Sequence, residues 1–350
     1  MVKLKLVLFL LLSSCLLLSC RQHEAQRPEI AFYYWRTDFS LKPGEQRLLS
    51  NIPSAPLYLR YFDLVYDETA ACVLPVSPVS VRSAPTQRII PVVFIKNKVW
   101  ERTDSLGIDS LAEHTLQLCR DINRRLAIHP NAVQIDCDWT SGTGPRYFYF
   151  LNLLRQKLQQ AAAAYAFAPG TQLSATIRLH QVKYPGRQGI PPADRGVLMY
   201  YNMGKIGAGA ENSIYEEETG LQYIRALKKY PLPLDFALPV FAWGIHIREG
   251  RVVELLNKMD SRDFDTDSRF RHAGVSRYSA TASFFKNGFY FKEGDEVKVE
   301  EVKDTDLLRM ARTLKKYYDH PVQRVVFYDL DSINISRYEE DIFTKVADRL

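Results

Sequence analysis

The segment Val133-Gln134-Ile135-Asp136-Cys137-Asp138-Trp139-Thr140 places two carboxyls and a hydroxyl at every second position. Alternate side chains of an extended strand share a face, so Asp136, Asp138 and Thr140 lie together and Val133, Ile135 and Cys137 lie opposite. The apolar set suits a covered surface, which turns the acidic set toward an interior. Two carboxyls held this closely away from water do not ionise independently, and one pKa rises. That arrangement serves proton transfer. A structural carboxylate network bonded to neighbouring strands would use the same residues. A second polar stripe, Ser174, Thr176, Arg178 and His180, alternates with Leu173, Ala175, Ile177 and Leu179. A polar face on a buried strand needs partners or a function. Arg178 is placed to pair with Asp136 or Asp138, which would depress the carboxylate pKa and suit binding or structure. His180 is either an acid–base group or a histidine satisfied by hydrogen bonds. Asp63, Asp329 and Asp331, at the ends of other strand-like runs, are candidates for a further acid.

Aromatic residues fall near the same run ends: Tyr34, Trp35, Trp139, Tyr200, Tyr201 and Trp243. Rings of this kind stack on the C–H faces of sugars, though the same residues also fill cores. Core packing is the preferred reading for Tyr33, Tyr200 and Phe241. Asp260, Asp263, Asp265 and Asp267 are close in sequence, but the string lacks the glycine and terminal glutamate of a calcium loop and contains Arg262, so it reads as a solvated loop. Cys72, Cys119 and Cys137 show no C-x-x-C spacing and read as small buried hydrophobes. No metal and no cofactor is expected.

The elements that must position these groups recur in order. Eight β-branched or aromatic runs are bounded by turn residues: Ile30–Thr37, Leu57–Val65, Arg88–Ile95, Ala132–Trp139, Gln172–His180, Gly196–Met203, Asp235–Ile247 and Arg324–Asp331. Between them, apolar residues at helical spacing predict helices over Ser110–Leu126, Tyr147–Ala166, Glu216–Lys229 and Thr305–Tyr318. Strands alternating with helices predict an α/β fold of parallel units, and eight strands fit a closed (β/α)8 TIM barrel. The rival is an open doubly wound sheet, whose nucleotide-binding form is disfavoured by the absence of G-x-G-x-x-G after the first run. The connection between the seventh and eighth runs, about 75 residues, is far longer than usual. Within it Val252–Met259 predicts a helix, Asn287-Gly288 a hairpin turn between Ser283–Lys286 and Phe289–Phe291, and Glu296–Val302 a strand. This is a small β-rich insertion, over about 248–303, projecting from the C-terminal rim where barrel sites lie.

Asp136-Cys137-Asp138-Trp139-Thr140 resembles the D-x-D-x-E signature of family 18 glycoside hydrolases, the chitinase-like barrels, and Met199-Tyr200-Tyr201-Asn202 resembles their M-x-Y-D/N motif. The resemblance implies a barrel acting on or binding a glycan. In it Asp138 is the acid–base or electrostatic group, Asp136 tunes it, and Tyr201 and Asn202 orient the sugar, with Trp243, Trp35, Arg178, His180, Asp63, Asp329 and Asp331 as further binding candidates. It also implies that the catalytic acid belongs at Thr140, where a hydroxyl is far too weak an acid for general-acid work. Another carboxyl about 5–9.5 Å from Asp138 would restore the spacing glycosidases use. The aromatic first run, V-Q-I-D-x-D and L-P-V-F-A-W-G are similar to a bacterial lipoprotein family with glycoside-hydrolase-like barrels, which implies a fold and an envelope location but no activity.

The N-terminus agrees with that location. Lys3 and Lys5 precede an apolar run, Leu6–Leu18, shorter than the ~20 residues of a membrane-spanning helix, and therefore read as a signal peptide rather than a buried helix. Leu17-Leu18-Ser19-Cys20 resembles a lipoprotein box, so 1–19 is the signal, Cys20 the lipidated residue, 20–29 a tether and 30–350 the barrel. The alternative box ending at Cys15 would leave Leu16–Leu18 exposed at the mature terminus. Acyl chains anchor without a spanning helix. The absence of an acidic cluster over Arg21–Glu24 points to attachment facing the periplasm. Removing Lys3 and Lys5 reduces the net charge from +6 to about +4, which carries no case for a nucleic-acid partner. The expected partners are a carbohydrate and, through the lipid, a membrane. A non-catalytic glycan-binding protein or an envelope scaffold is the alternative to an enzyme.

Overall fold

The computed structural model describes residues 27–350 of the chain of 350, apart from Ser83 and Ala210. The signal segment, Cys20 and most of the tether lie outside the described residues. Eight parallel strands form the centre: β1 (Glu29–Tyr34), β2 (Leu57–Asp67), β3 (Ile89–Ile95), β4 (Ala132–Asp136), β5 (Gln172–Arg178), β6 (Arg195–Met199), β7 (Leu234–Pro239) and β8 (Arg324–Tyr328). Each pairs with the next, and β1 pairs with both β2, through Phe32↔Leu57, and β8, through Ile30↔Val325. The sheet is therefore closed, and the expected (β/α)8 barrel is what the chain forms. Closure covers both faces of every strand, which is why runs such as Ala132–Asp136 and Arg195–Met199 are buried throughout. Across the interior, the Tyr33 hydroxyl donates to Gln134 Oε1 at 2.7 Å, tying β1 to β4.

Helices Ser105–Leu126, Gly144–Ala161, Glu217–Ile224 and Asp304–Tyr317 correspond to the four predicted, with shifted ends. The first starts five residues before its predicted Ser110 because Asp104 caps it, accepting from the Gly107 N–H at 2.8 Å. It buries Ile108, Leu111, Leu116, Cys119, Ile122 and Leu126 along one stripe. Cys119 and Cys137 are buried as expected, whereas Cys72 is exposed, on a strand (Cys72–Val76) that extends the sheet beyond β2.

Two run ends differ from the sequence reading. The fifth run stops at Arg178, and His180 belongs to the short helix Leu179–Lys183, because Gln181 Oε1 accepts the Arg178 N–H at 2.7 Å and turns the chain. The seventh run is two strands. β7 ends at Pro239, and Ala242–Arg248 opens the insertion, so the inserted lobe begins before residue 248. Its core is a five-stranded antiparallel sheet in the order Arg251–Asn257, Ala242–Arg248, Glu296–Glu301, Arg277–Ala280, Phe270–Gly274. The helix predicted over Val252–Met259 is instead the first of these strands. A tight turn at Glu249-Gly250, with φ 51° and 72°, folds it back on Ala242–Arg248, and β-branched Val252 and Val253 suit the strand. The Asn287-Gly288 hairpin and the strand from Glu296 are as predicted. Leu256, Phe264, Phe270, Tyr278, Phe291 and Val297 give the lobe its own apolar core. The aspartate string is ordered by ion pairs: Asp260 is buried and caps the helix Ser261–Asp265, and Asp267 binds Arg269 and Lys286. Among the described residues no helix is long and apolar enough to cross a membrane, and no three or more His, Cys, Asp or Glu side chains are gathered as they would be to hold a metal ion.

Gly196 on β6 packs closely against the neighbouring strands β5 and β7. A Cβ there would lie 2.7 Å from Ile177 Cγ1 and 2.7 Å from Leu234 Cδ2. Gly196→Ala is expected to destabilise the protein by about 1–3 kcal/mol through overpacking, measured by urea unfolding. A loss within error of zero would mean that these side chains move aside freely.

Candidate functional site

Residues at and just beyond the C-terminal ends of the strands enclose a cleft of about 600 Å³. A second cleft of about 340 Å³ shares Asp138, Arg178, Tyr201 and Asn202 with it, so the two meet across these four residues. Of the sequence candidates, Asp136, Asp138, Arg178, Tyr201, Asn202, Trp35, Trp243 and Asp329 line the larger cleft, and His180 lines the smaller. Asp63, Asp331 and Thr140 line neither.

Asp136 closes β4. It is 5 % exposed, and its Oδ1 accepts from Thr176 Oγ1 on β5 at 2.7 Å. Burial raises its pKa, against the opposing pull of the Arg178 charge and the Thr176 hydrogen bond. Asp138 stands two residues past the strand, is exposed, and accepts a hydrogen bond from Arg178 Nε. Burial works against the Arg178 charge, but Asp136 and Asp138 outweigh it, and the guanidinium stays cationic. Burial lowers the His180 pKa, so the imidazole is neutral near pH 7. Asp329 lies past β8 and accepts from Asn334 Nδ2 at 2.6 Å, and burial, followed by the nearby Asp331, raises its pKa.

The aromatic wall is continuous. The Tyr201 ring stacks on Tyr328 at 5.8 Å, Tyr328 meets Trp35 at 5.6 Å, and Phe241 packs on Trp243 at 5.1 Å. The buried Tyr201 hydroxyl lies 2.9 Å from Met199 Sδ, and burial pushes its pKa well up, leaving a neutral phenol. Tyr34 and Trp139 are core: the Tyr34 hydroxyl donates to the Asp38 carbonyl at 2.8 Å, and the Trp139 indole to the Gln188 carbonyl at 3.1 Å. Tyr200 is buried against Tyr215, as expected of a core residue.

Three candidates take other places for identifiable reasons. Asp63 is held by Arg60, with Nε at 2.6 Å, and the Arg60 guanidinium sits 5.9 Å from the centre of the Trp35 ring, so Asp63 backs the cleft wall without lining it. Asp331 is fully buried. It caps the helix Ser332–Ile335 and pairs with Lys258 at 2.8 Å and Arg36 at 3.3 Å, holding two cations that do line the cleft. Thr140 is exposed, and its N–H donates to Thr143 Oγ1 at 2.9 Å at the start of the following helix.

The sequence reading missed Lys258, Asn257, Arg36, Phe94, Tyr328 and Glu300. The first two come from the insertion, where the predicted helix hid their place. Tyr328 ends β8 and was legible by the same alternation as Asp136. Glu300 is 1 % exposed, and its Oε2 accepts from both the Trp243 indole, at 2.9 Å, and the Ser213 hydroxyl. Its Oε1 faces Lys298 Nζ at 2.6 Å, and that ammonium also donates to the carbonyls of Gly207, Gly209 and Glu211 at 2.8–3.1 Å. The insertion thereby fixes the loop after β6 and one aromatic of the cleft together.

No family model and no curated relative matches the chain by sequence. Solved structures match by fold. The spore cortex-lytic enzyme SleL of Bacillus cereus is 12 % identical with TM-score 0.56, covering 91 % of this chain and 74 % of its own. A family 18 chitinase from Cycas revoluta, in complex with allosamidin, is 12 % identical with TM-score 0.55, covering 91 % and 99 %. The class V chitinase of Nicotiana tobaccum is 12 % identical with TM-score 0.50, covering 93 % and 99 %. At such identities the likeness is one of fold: the chain has a chitinase-like barrel.

The raised pKa of Asp136 makes a signed prediction. The folded state holds this proton more tightly than the unfolded chain, so the stability it confers is full below the ordinary value of 3.8 and is lost as pH rises through the raised value. Asn carries no such proton. Asp136→Asn is expected to gain on wild type in urea melts as pH climbs from about 4 toward neutral. A gap independent of pH would refute the assignment.

Proposed function

We propose that the chain is a lipid-anchored envelope protein whose barrel binds a glycan in the cleft at the C-terminal rim without hydrolysing it. The observation that carries this reading is the Asp138–Arg178 contact in an aromatic-walled cleft. The Asp138 carboxylate is spent on an ion pair with Arg178 and does not stand free toward a bound ligand. Thr140, where the motif resemblance would put the acid, faces solvent and has no acidic proton to give. Trp35, Tyr201, Tyr328 and Trp243 offer the flat apolar faces that sugar rings stack against. A chitinase of the same fold is seen in complex with (GlcNAc)4 and with allosamidin, which supports a glycan as the ligand class.

Hydrolysis is the second reading, and one observation favours it: Asp136 lines the cleft with a raised pKa, as a proton donor would. Purified mature protein incubated with chitin oligosaccharides and peptidoglycan separates the two. Binding without release of new reducing ends is expected. Turnover abolished by Asp136→Asn would establish the second reading instead.

In calorimetry with chitotetraose, Trp243→Ala is expected to weaken binding by about tenfold, the equivalent of one lost stacking contact. Unchanged affinity would remove Trp243 from the site. The anchor is tested by fractionation: Cys20→Ala is expected to move the protein from the membrane to the soluble fraction. External protease on intact cells is expected to leave the wild-type protein uncut, and its removal would place it on the outer surface.

A further inference from the structure

Arg178 sits where the two clefts meet, and only one of its donors is used within the site. A guanidinium carries five N–H groups in a planar fork. Nε donates to Asp138, and among the described residues neither Nη group donates a hydrogen bond. The Nη atoms are not sealed away: the side chain retains 24 % exposure and lines both clefts. By contrast Arg36, on the same wall, is consumed by Glu45, Asp331, the Tyr34 hydroxyl and the Ser40 carbonyl. A partly buried guanidinium with open donors is a demand for a planar anion, because two parallel N–H···O bonds to a carboxylate satisfy the fork.

The neighbouring charges leave room for that anion. Asp136 and Asp329 are occupied by Thr176 and Asn334, and burial biases both toward the neutral acid. His180 is uncharged near neutrality, and Tyr201 and Tyr328 are neutral phenols. Asp138 is the exposed carboxylate at the guanidinium, and it occupies one edge of the fork. Besides Arg178 and the fully engaged Arg36, Lys258 adds a further cation on the larger cleft, 45 % exposed and held by Asp331.

We propose that this cleft selects a glycan bearing a carboxylate, gripped by the two Nη groups of Arg178 with Lys258 as the supporting charge. The inference rests on the glycan-binding reading and specifies its ligand class. The same group is supplied by a uronic acid or by the lactyl ether of N-acetylmuramic acid, and the experiment distinguishes them.

Calorimetry of the full mature protein at low salt would use three probes: chitotetraose, which is neutral, a tetragalacturonate, and a tetrasaccharide of alternating N-acetylglucosamine and N-acetylmuramic acid. At least one acidic probe is expected to bind tenfold or more tighter than the neutral one, as a charge-assisted pair implies. Which acidic probe does so identifies the source. The preference is expected to vanish in Arg178→Gln, to survive in part in Arg178→Lys, which keeps the charge but not the fork, and to shrink as salt is raised. Equal affinity for all three probes would overturn this inference and leave glycan binding standing. Binding to none would remove both. A preference that persists in folded Arg178→Gln would also overturn it. If Arg178→Gln does not fold, Arg178→Lys and the salt series on wild type decide, and a preference insensitive to both refutes the proposal.

Discussion

Closure of the barrel is the constraint on which everything else depends. β1 must satisfy β8 on one side and β2 on the other, and its register with both is fixed by the strands that lie between them. Once the ring is shut, side chains alternate inward and outward with no slack, since a slip of one residue would turn every side chain to the other face. Asp136 opposite Phe94, and Arg178 opposite Met199, follow from that register. So does the meeting of Trp35, Asp136, Arg178 and Tyr328 around one cleft although they come from four distant parts of the chain. Interior polar ties such as Tyr33 to Gln134 reinforce the same alignment from within.

Much of this was legible in the sequence because period-2 alternation is a strong local signal. The run from Val133 to Asp136 gave both its strand and its acidic face, and Thr176 and Arg178 gave the partner stripe. Legibility ended where strands end. Asp138, Thr140 and His180 all lie past the last paired residue, where hydrogen bonds to Thr143 and Gln181 replace the ladder; Asp138 and His180 still reach the clefts, whereas Thr140 lines neither. Asp63 and Asp331 were misplaced for a related reason. Each was visible as a carboxyl, but the cation that draws it out of the cleft is set by three-dimensional proximity: Arg60 for one, Lys258 and Arg36 for the other.

The insertion was legible as an insertion but not as a wall of the site. Its hairpin announced itself through Asn287-Gly288, whereas Val252–Met259 carried apolar residues compatible with either period, and only the turn at Glu249-Gly250 decides for a strand. Asn257 and Lys258 reach the cleft because that strand returns toward the barrel.

The single oxygen of Glu300 that serves both Trp243 and Ser213 has a consequence for how such a protein diverges. The aromatic on the insertion and the loop after β6 answer to one carboxylate, so the two sides of the recess are not free to drift separately. The three positions are coupled through one shared acceptor, so the effects of changes at them are expected not to add. New ligand preferences in descendants of this chain would then arise through coordinated substitutions across the lobe and the loop, with the barrel strands beneath inherited unchanged.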